Sequence, residues 1–236
     1  MESKYKFEDL EEIVRKLRSE DGCPWDREQT HSSLKKCMIE EAYEVVEGIN
    51  RYEKEGDYFN LREELGDVLL QVVMHSQIAK EEGIFTMEDV IHEISEKMVR
   101  RHPHVFGSKA VKNAKDVIKS WEAIKKSEKR EKNELDTLRY IPRSFPPLIR
   151  ASKVLKKAEE LYHVKEKEAE IISSMSTAIE ELRCESNEKS NLRNKELIGK
   201  LMLDITKLAK RHKIDTEDAL SDAIEEFIET YEANIN

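Results

Sequence analysis

The chain has 236 residues, 39% of them charged, with only 7 Gly and 5 Pro and a formal net charge of −9. That length holds one large or two small domains, and few helix breakers among many charges point to long helices. The acidic balance, with no basic block and no aromatic-basic interleaving, argues against nucleic acid as a principal partner. Cys23, Cys37 and Cys184 have no paired metal spacing and suit a reducing compartment. The first residues are charged with no apolar signal segment, and no run approaches membrane-spanning length, so the expectation is a cytoplasmic protein without a membrane partner.

In chain order, Phe7, Leu10, Ile13, Val14 and Leu17 predict a first amphipathic helix, ended by the Gly- and Pro-marked turn Asp21 to Asp26. Ser32 or Ser33 can cap a second helix running to about Gly56. Asn60 with Glu63 reads as a capping box opening a third helix, closed by Gly83. Thr86 with Asp89 opens a fourth, with Val90, Ile94 and Met98 as its stripe, and Pro103 stops it. Ala114, Val117, Ile118, Trp121 and Ile124 continue the helical pattern into a charged stretch, Ser127 to Leu135, and the Pro-rich run Ile141 to Pro147. Four more helices follow, Leu148–His163, Ala169–Cys184, Leu192–His212 and Thr216–Tyr231. No segment alternates as a strand. The expectation is an all-α chain with a helical module over residues 1–130, a linker at 131–147 and a second module at 148–236.

Two acidic clusters carry the chemistry. Glu40-Glu41-Ala42-Tyr43-Glu44 lies among Leu34, Cys37, Met38, Val45, Val46 and Ile49, and helical spacing makes Glu41 and Glu44 surface neighbours. Glu64-Leu65-Gly66-Asp67 opens a segment so apolar, Leu65 to Met74, that little of it is expected to face water. Like charges on a half-buried surface are unfavourable unless a cation neutralises them. Carboxylate oxygens without Cys or a tight His cluster describe a hard-cation site for Mg²⁺ or Mn²⁺, not Zn²⁺. The bland alternative is a solvated acidic helix face.

EEAYE, ELGD, and the flanking CPWDREQTHSSL and RRHPHVFG resemble the MazG family of nucleoside triphosphate pyrophosphohydrolases over about Phe7 to Trp121. The resemblance implies an all-α fold, a tight homodimer, and an EExxE plus ExxD set holding Mg²⁺ while a nucleoside triphosphate is hydrolysed to monophosphate and pyrophosphate. By that resemblance Glu41, Glu44, Glu64 and Asp67 are the metal ligands, and Glu40 is the base that orients the attacking water. It also places phosphate-binding cations on the fourth helix, here Lys97 and Arg101, four apart and on one face. Read as residues alone, those two equally suit a helix C-terminus complementing its dipole. Trp25 and Trp121 either stack on a base or fill core, and His31 either binds base or sugar or starts a helix. His102 and His104 around Pro103 are explained by a helix-ending turn.

Longer members of the family carry a second copy of the module. Aligning Gly199 with Gly66 puts Leu197 where Glu64 stands and Lys200 where Asp67 stands, and Thr177-Ala178-Ile179-Glu180-Glu181 is the best counterpart of the first acidic cluster, with only its last Glu kept, so three of the four metal positions are lost. The second half therefore reads as a degenerate repeat without metal chemistry. The rival from another class is a non-enzymatic helical regulator or scaffold with a relic metal site.

Overall fold

A computed structural model of the chain describes residues 4–108, 110–111, 113–128, 138–163, 165–184 and 191–233. Among them every regular element is a helix, as the all-α reading requires. The chain divides after Glu128 into two compact units. Much of the charged stretch and the first part of the expected linker, residues 129–137, lie outside the described residues.

The first unit holds α1 (Phe7–Leu17), α2 (Pro24–Glu28), α3 (Lys35–Glu55), α4 (Tyr58–Glu81), α5 (Met87–Arg101), α6 (Pro103–Phe106) and α7 (Ala114–Glu128). Its centre is the antiparallel hairpin α3–α4, turned at Gly56 and Asp57. Two expected caps differ from those observed. Ser33 is used in the turn before α3, where Thr30 and Ser33 bond each other's backbone N–H, and Leu34 takes the N-cap position with no side-chain bond. Asp57 caps α4 by accepting from the Phe59 N–H, so Asn60 falls inside the first turn, where its amide donates to Glu64 instead. A carboxylate at the turn itself reaches the orphan helix N–H groups sooner than an amide three residues on. The Thr86–Asp89 capping box of α5 forms as the spacing predicts.

The core gathers Val14 from α1, Leu34, and Val73, Met74 and Ile78 from α4, with Phe7, Leu10 and Leu70 packed against them. Each such buried side chain contributes roughly 1.5–3 kcal/mol. Buried Arg18 ties this end together: Nε and Nη2 donate to Glu81, and Nη1 donates to the carbonyls of Asp26 and Gln29. The hairpin is less covered along its length than the apolar pattern predicts, for Ile39, Tyr43, Val46, Leu65 and Leu69 are all exposed.

The second unit holds α8 (Pro147–Tyr162), α9 (Glu168–Cys184), α10 (Asn191–His212) and α11 (Thr216–Ala233). Ile171, Ala178 and Leu197 are buried where α9 meets α10. Buried Asp204 accepts a hydrogen bond from Ser174 at 2.6 Å and pairs with Lys207 at 3.0 Å. Those partners hold its pKa below the ordinary value, against the opposing and largest influence of burial.

Candidate active site

Gly48 is buried on α3, so close to α4 that a Cβ there would come within 2.9 Å of the Leu61 Cα. On α3, Glu44 and Glu41 lie one and two turns before Gly48; on α4, Glu64 lies one turn after Leu61 and Asp67 nearly two. The close approach therefore brings the two acidic clusters face to face. Carboxylate oxygens of Glu41, Glu64 and Asp67 lie within 4.8 Å of one another, a spacing that could hold a metal ion. Glu44 reaches the same group, its carboxyl meeting that of Glu64.

The electrostatics carry the mark of crowding. Glu41 has a pKa above the ordinary value, through burial first and then the charges of Asp67, Glu44, Glu64 and Glu40. Glu64 is also raised, by burial, by the charge of Glu44 and by sharing a hydrogen bond with it, while Asn60, donating at 2.8 Å, opposes the shift. Three or four acids held this way favour a proton or a cation between them. Glu40 stands at the rim, exposed and paired with Lys36 at 2.9 Å one turn earlier on α3.

The remaining residues singled out from the sequence lie on other elements. Lys97 and Arg101 share a face of α5 and are partly buried. Lys97 makes no ion pair among the described residues, whereas Arg101 donates from Nε and Nη2 to Glu128 of α7, at 3.0 and 2.6 Å. The guanidinium of Arg101 lies 5.5 Å from the ring centre of Trp121, which Lys125 also approaches at 5.0 Å. Glu128 accepts from Arg100 as well, and the two guanidinium groups hold its pKa down at about 2. Trp25, on α2, is exposed.

His31 pairs with His75 of α4, with Nδ1 atoms 2.8 Å apart and rings stacked 3° from parallel. One ring of such a pair must be neutral to accept. Burial first, then the charge of His31, lowers the pKa of His75. His75 is eight residues past Asp67, about 12 Å along the helix axis. His102 donates from Nδ1 to the Met98 carbonyl at 2.7 Å, and its ring packs beside His104 at the start of α6, a helix-end arrangement. A cavity of about 260 Å³ between α1, α4 and the start of α5 is lined by none of the candidate metal-binding, catalytic or substrate-binding residues.

Sequence reasoning did not find Asn60 as the donor to Glu64, although their four-residue spacing carried the signal. It also missed Glu128 and His75, whose partners lie 27 and 44 residues away with no local pattern to mark them.

Residues 29–106 match the MazG nucleotide pyrophosphohydrolase domain. The chain is 41% identical over 226 residues to the nucleoside triphosphate pyrophosphohydrolase/pyrophosphatase MazG of Thermotoga maritima, covering 95% of this chain and 84% of that protein. It is 37% identical over 218 residues to the nucleoside triphosphate pyrophosphohydrolase of Escherichia coli K12, covering 91% of this chain and 81% of that one. Protein YabN of Bacillus subtilis is 51% identical over 152 residues, 64% of this chain but 30% of its own length. The acidic hairpin thus sits within the matched domain, and likeness that extends along nearly the whole chain means that the protein belongs to the MazG nucleotide pyrophosphohydrolase family.

Proposed function

We propose that this chain hydrolyses nucleoside triphosphates to the monophosphate and pyrophosphate, with Glu41, Glu44, Glu64 and Asp67 holding Mg²⁺, or Mn²⁺ in its place. The observation that carries the reading is the convergence of Glu41, Glu64 and Asp67 within 4.8 Å, together with the raised pKa values of Glu41 and Glu64. Oxygen-only donors suit a hard divalent ion. When bound, the ion supplies Lewis acidity toward phosphate oxygens and lowers the pKa of water.

The chain's own groups do the rest. Glu40, at the rim of the cluster, accepts the proton of the attacking water. Lys97 and Arg101 hold phosphate charge, Arg101 as a planar fork and Lys97 as a point charge. Trp121 supports the Arg101 guanidinium, and Trp25 and His31 form the nucleoside side of the site. A homodimer fits the exposed Ile39, Tyr43, Val46, Leu65 and Leu69 of the hairpin, which would be covered by a second copy. A cytoplasmic setting fits the free thiols of Cys23 and Cys37 and the lack, among the described residues, of a helix able to cross a membrane. The net charge of −9 fits a small-molecule substrate and no nucleic-acid partner.

The second module, placed at 148–236 after a catalytic module at 1–130 and a linker at 131–147, is a degenerate copy. Its support is a shared helix end. Gly83 and Ile84 donate to the carbonyls of Lys80 and Ala79 after α4, and Lys213 and Ile214 donate to those of Lys210 and Ala209 after α10. Gly83 and Lys213 both have positive φ, 69° and 60°. This end matches 213 with 83, a shift of 130 residues, whereas matching Gly199 with Gly66 gives 133. Under either shift the counterparts of Glu64 and Asp67 are not acids: Asn194 and Leu197, or Leu197 and Lys200.

Product identification tests the proposal. Purified protein with Mg²⁺ and a panel of ordinary and modified nucleoside triphosphates should give monophosphate and pyrophosphate by chromatography. Diphosphate and orthophosphate would place the attack at the wrong phosphorus.

A further inference from the structure

Arg101 is held on two sides before any ligand arrives. Glu128, near the end of α7, takes its Nε and Nη2 hydrogens at 3.0 and 2.6 Å, and Trp121, two turns earlier on α7, lies under the guanidinium at 5.5 Å. Both side chains of the pair are largely buried, at 15% and 20% exposure, while Arg100, the other arm on Glu128, is 51% exposed. Among the described residues nothing bonds Nη1 of Arg101. The edge formed by Nη1 and the second hydrogen of Nη2 is therefore left for an acceptor, and a planar guanidinium offers along it two parallel N–H groups of the kind a phosphate takes. Lys97, one turn earlier on the same face of α5, adds a charge without an ion-pair partner among the described residues.

We propose that Glu128 is a positioning residue: with Trp121 beneath, it fixes the Arg101 fork so that its free edge meets the triphosphate of the substrate. This rests on the reading that Arg101 binds phosphate. Two effects of removing the Glu128 carboxylate compete. Loss of a negative charge favours an anionic ligand, but that gain is shared with exposed Arg100 and screened by salt. Loss of the clamp frees a long side chain whose immobilisation the ligand must then supply, at about 0.5–1.5 kcal/mol for each such chain. The local geometric effect wins, because Arg101 is largely buried and its orientation is set by the very bonds that are lost.

The test is a double-mutant cycle read by calorimetry, using the full chain, Mg²⁺ and a nucleoside triphosphate with a non-hydrolysable α,β-methylene bridge. Glu128→Ala is expected to weaken binding about fivefold, the midpoint of that ordering range, and Glu128→Gln by less, because its carbonyl oxygen still accepts. In Arg101→Ala protein, itself weaker than wild type, Glu128→Ala should change nothing further. Arg100→Ala, which removes the exposed arm and one α5–α7 ion pair, should stay within about twofold. With hydrolysable substrate the same Glu128 variants should raise KM and leave kcat in place, as removal of uniform binding does. Thermal melts accompany each variant, and Glu128→Gln supplies the comparison if the alanine protein does not fold. Unchanged or tighter binding in Glu128→Ala, while Arg101→Ala weakens it, overturns the positioning role but leaves Arg101 as a phosphate ligand. Equal effects of Glu128→Ala with and without Arg101 mean that Glu128 acts on the fold and not through Arg101. No effect of Arg101→Ala overturns the phosphate reading and the inference together.

Discussion

The Leu61 Cα stands where the Cβ of any larger residue at position 48 would need room, 2.9 Å from the ideal Cβ position of Gly48. This contact sets the separation of α3 and α4 one turn from the acidic cluster. Gly48→Ala should lower stability by about 1–3 kcal/mol, the usual range for overpacking, despite alanine's better helix propensity. Activity should fall as well, because the two acid-bearing faces are pushed apart. Denaturant titration with a rate assay checks both, and a variant as stable and active as wild type would show that the hairpin spacing is set elsewhere.

Removing one acid of the cluster should abolish turnover without unfolding the protein. Glu41→Gln or Glu64→Gln is expected to lower kcat by about 10²-fold or more through loss of electrostatic stabilisation at the reacting phosphate. Near-wild-type rates in both would remove the hairpin as the active site.

The raised pKa values of Glu41 and Glu64 predict a particular dependence on pH. Each binds its proton more tightly in the folded state than in the unfolded one, so the metal-free fold is favoured in mild acid. That advantage is lost as pH rises through the raised pKa. Glu81, Asp89, Asp204 and Glu128 shift the other way, and their contribution is lost as pH falls. The difference between variants isolates the cluster. In chelator at pH ~7, Glu41→Gln should melt above wild type, and the gap should close toward pH ~4, the ordinary glutamate range. A gap that widens in acid would contradict the crowding.

Asp67→Asn removes a charge with little change in shape. Without metal it should melt no lower than wild type. Mg²⁺ at a hundredfold excess over its dissociation constant should stabilise wild type by about 2.7 kcal/mol, and the variant by much less. Equal stabilisation at matched saturation of the wild-type site would take Asp67 out of that site.

The second unit should be separable from catalysis. Glu181, half-exposed and paired with Arg193 at 2.6 Å, should be replaceable by alanine with no change in rate, in contrast to Glu44→Ala. Asp204→Ala, which takes a hydrogen-bond partner from Ser174 and one of two carboxylate partners from partly buried Lys207, should destabilise that unit by about 1–3 kcal/mol. A rate loss in Glu181→Ala equal to that in Glu44→Ala, in folded protein, would place an active site in the second half.

Most helices were legible because their signals are local. Phe7, Leu10, Val14 and Leu17 repeat at helical spacing, and Thr86 and Asp89 cap each other across three residues, so neither depends on the rest of the chain. The caps of α3 and α4 were not legible, since Ser33 and Asn60 each had two local bonds within reach and the competing one formed.

By itself the sequence determined the helical class, the two acidic clusters and the family resemblance, because composition, periodicity and short motifs are properties of neighbouring residues. Only the tertiary structure decided that Glu41 meets Asp67 across the hairpin, that Gly48 is the close contact making this so, and that Arg101 is clamped by Glu128 over Trp121. It also decided which apolar residues of α4 are covered: Val73 and Met74 are, Leu65 is not, although all three belong to one apolar run. Periodicity tells which side of a helix is apolar, but not how far along its length a neighbour reaches. That depends on where α1 ends and how closely α3 approaches, and these are set by contacts between residues far apart in the chain.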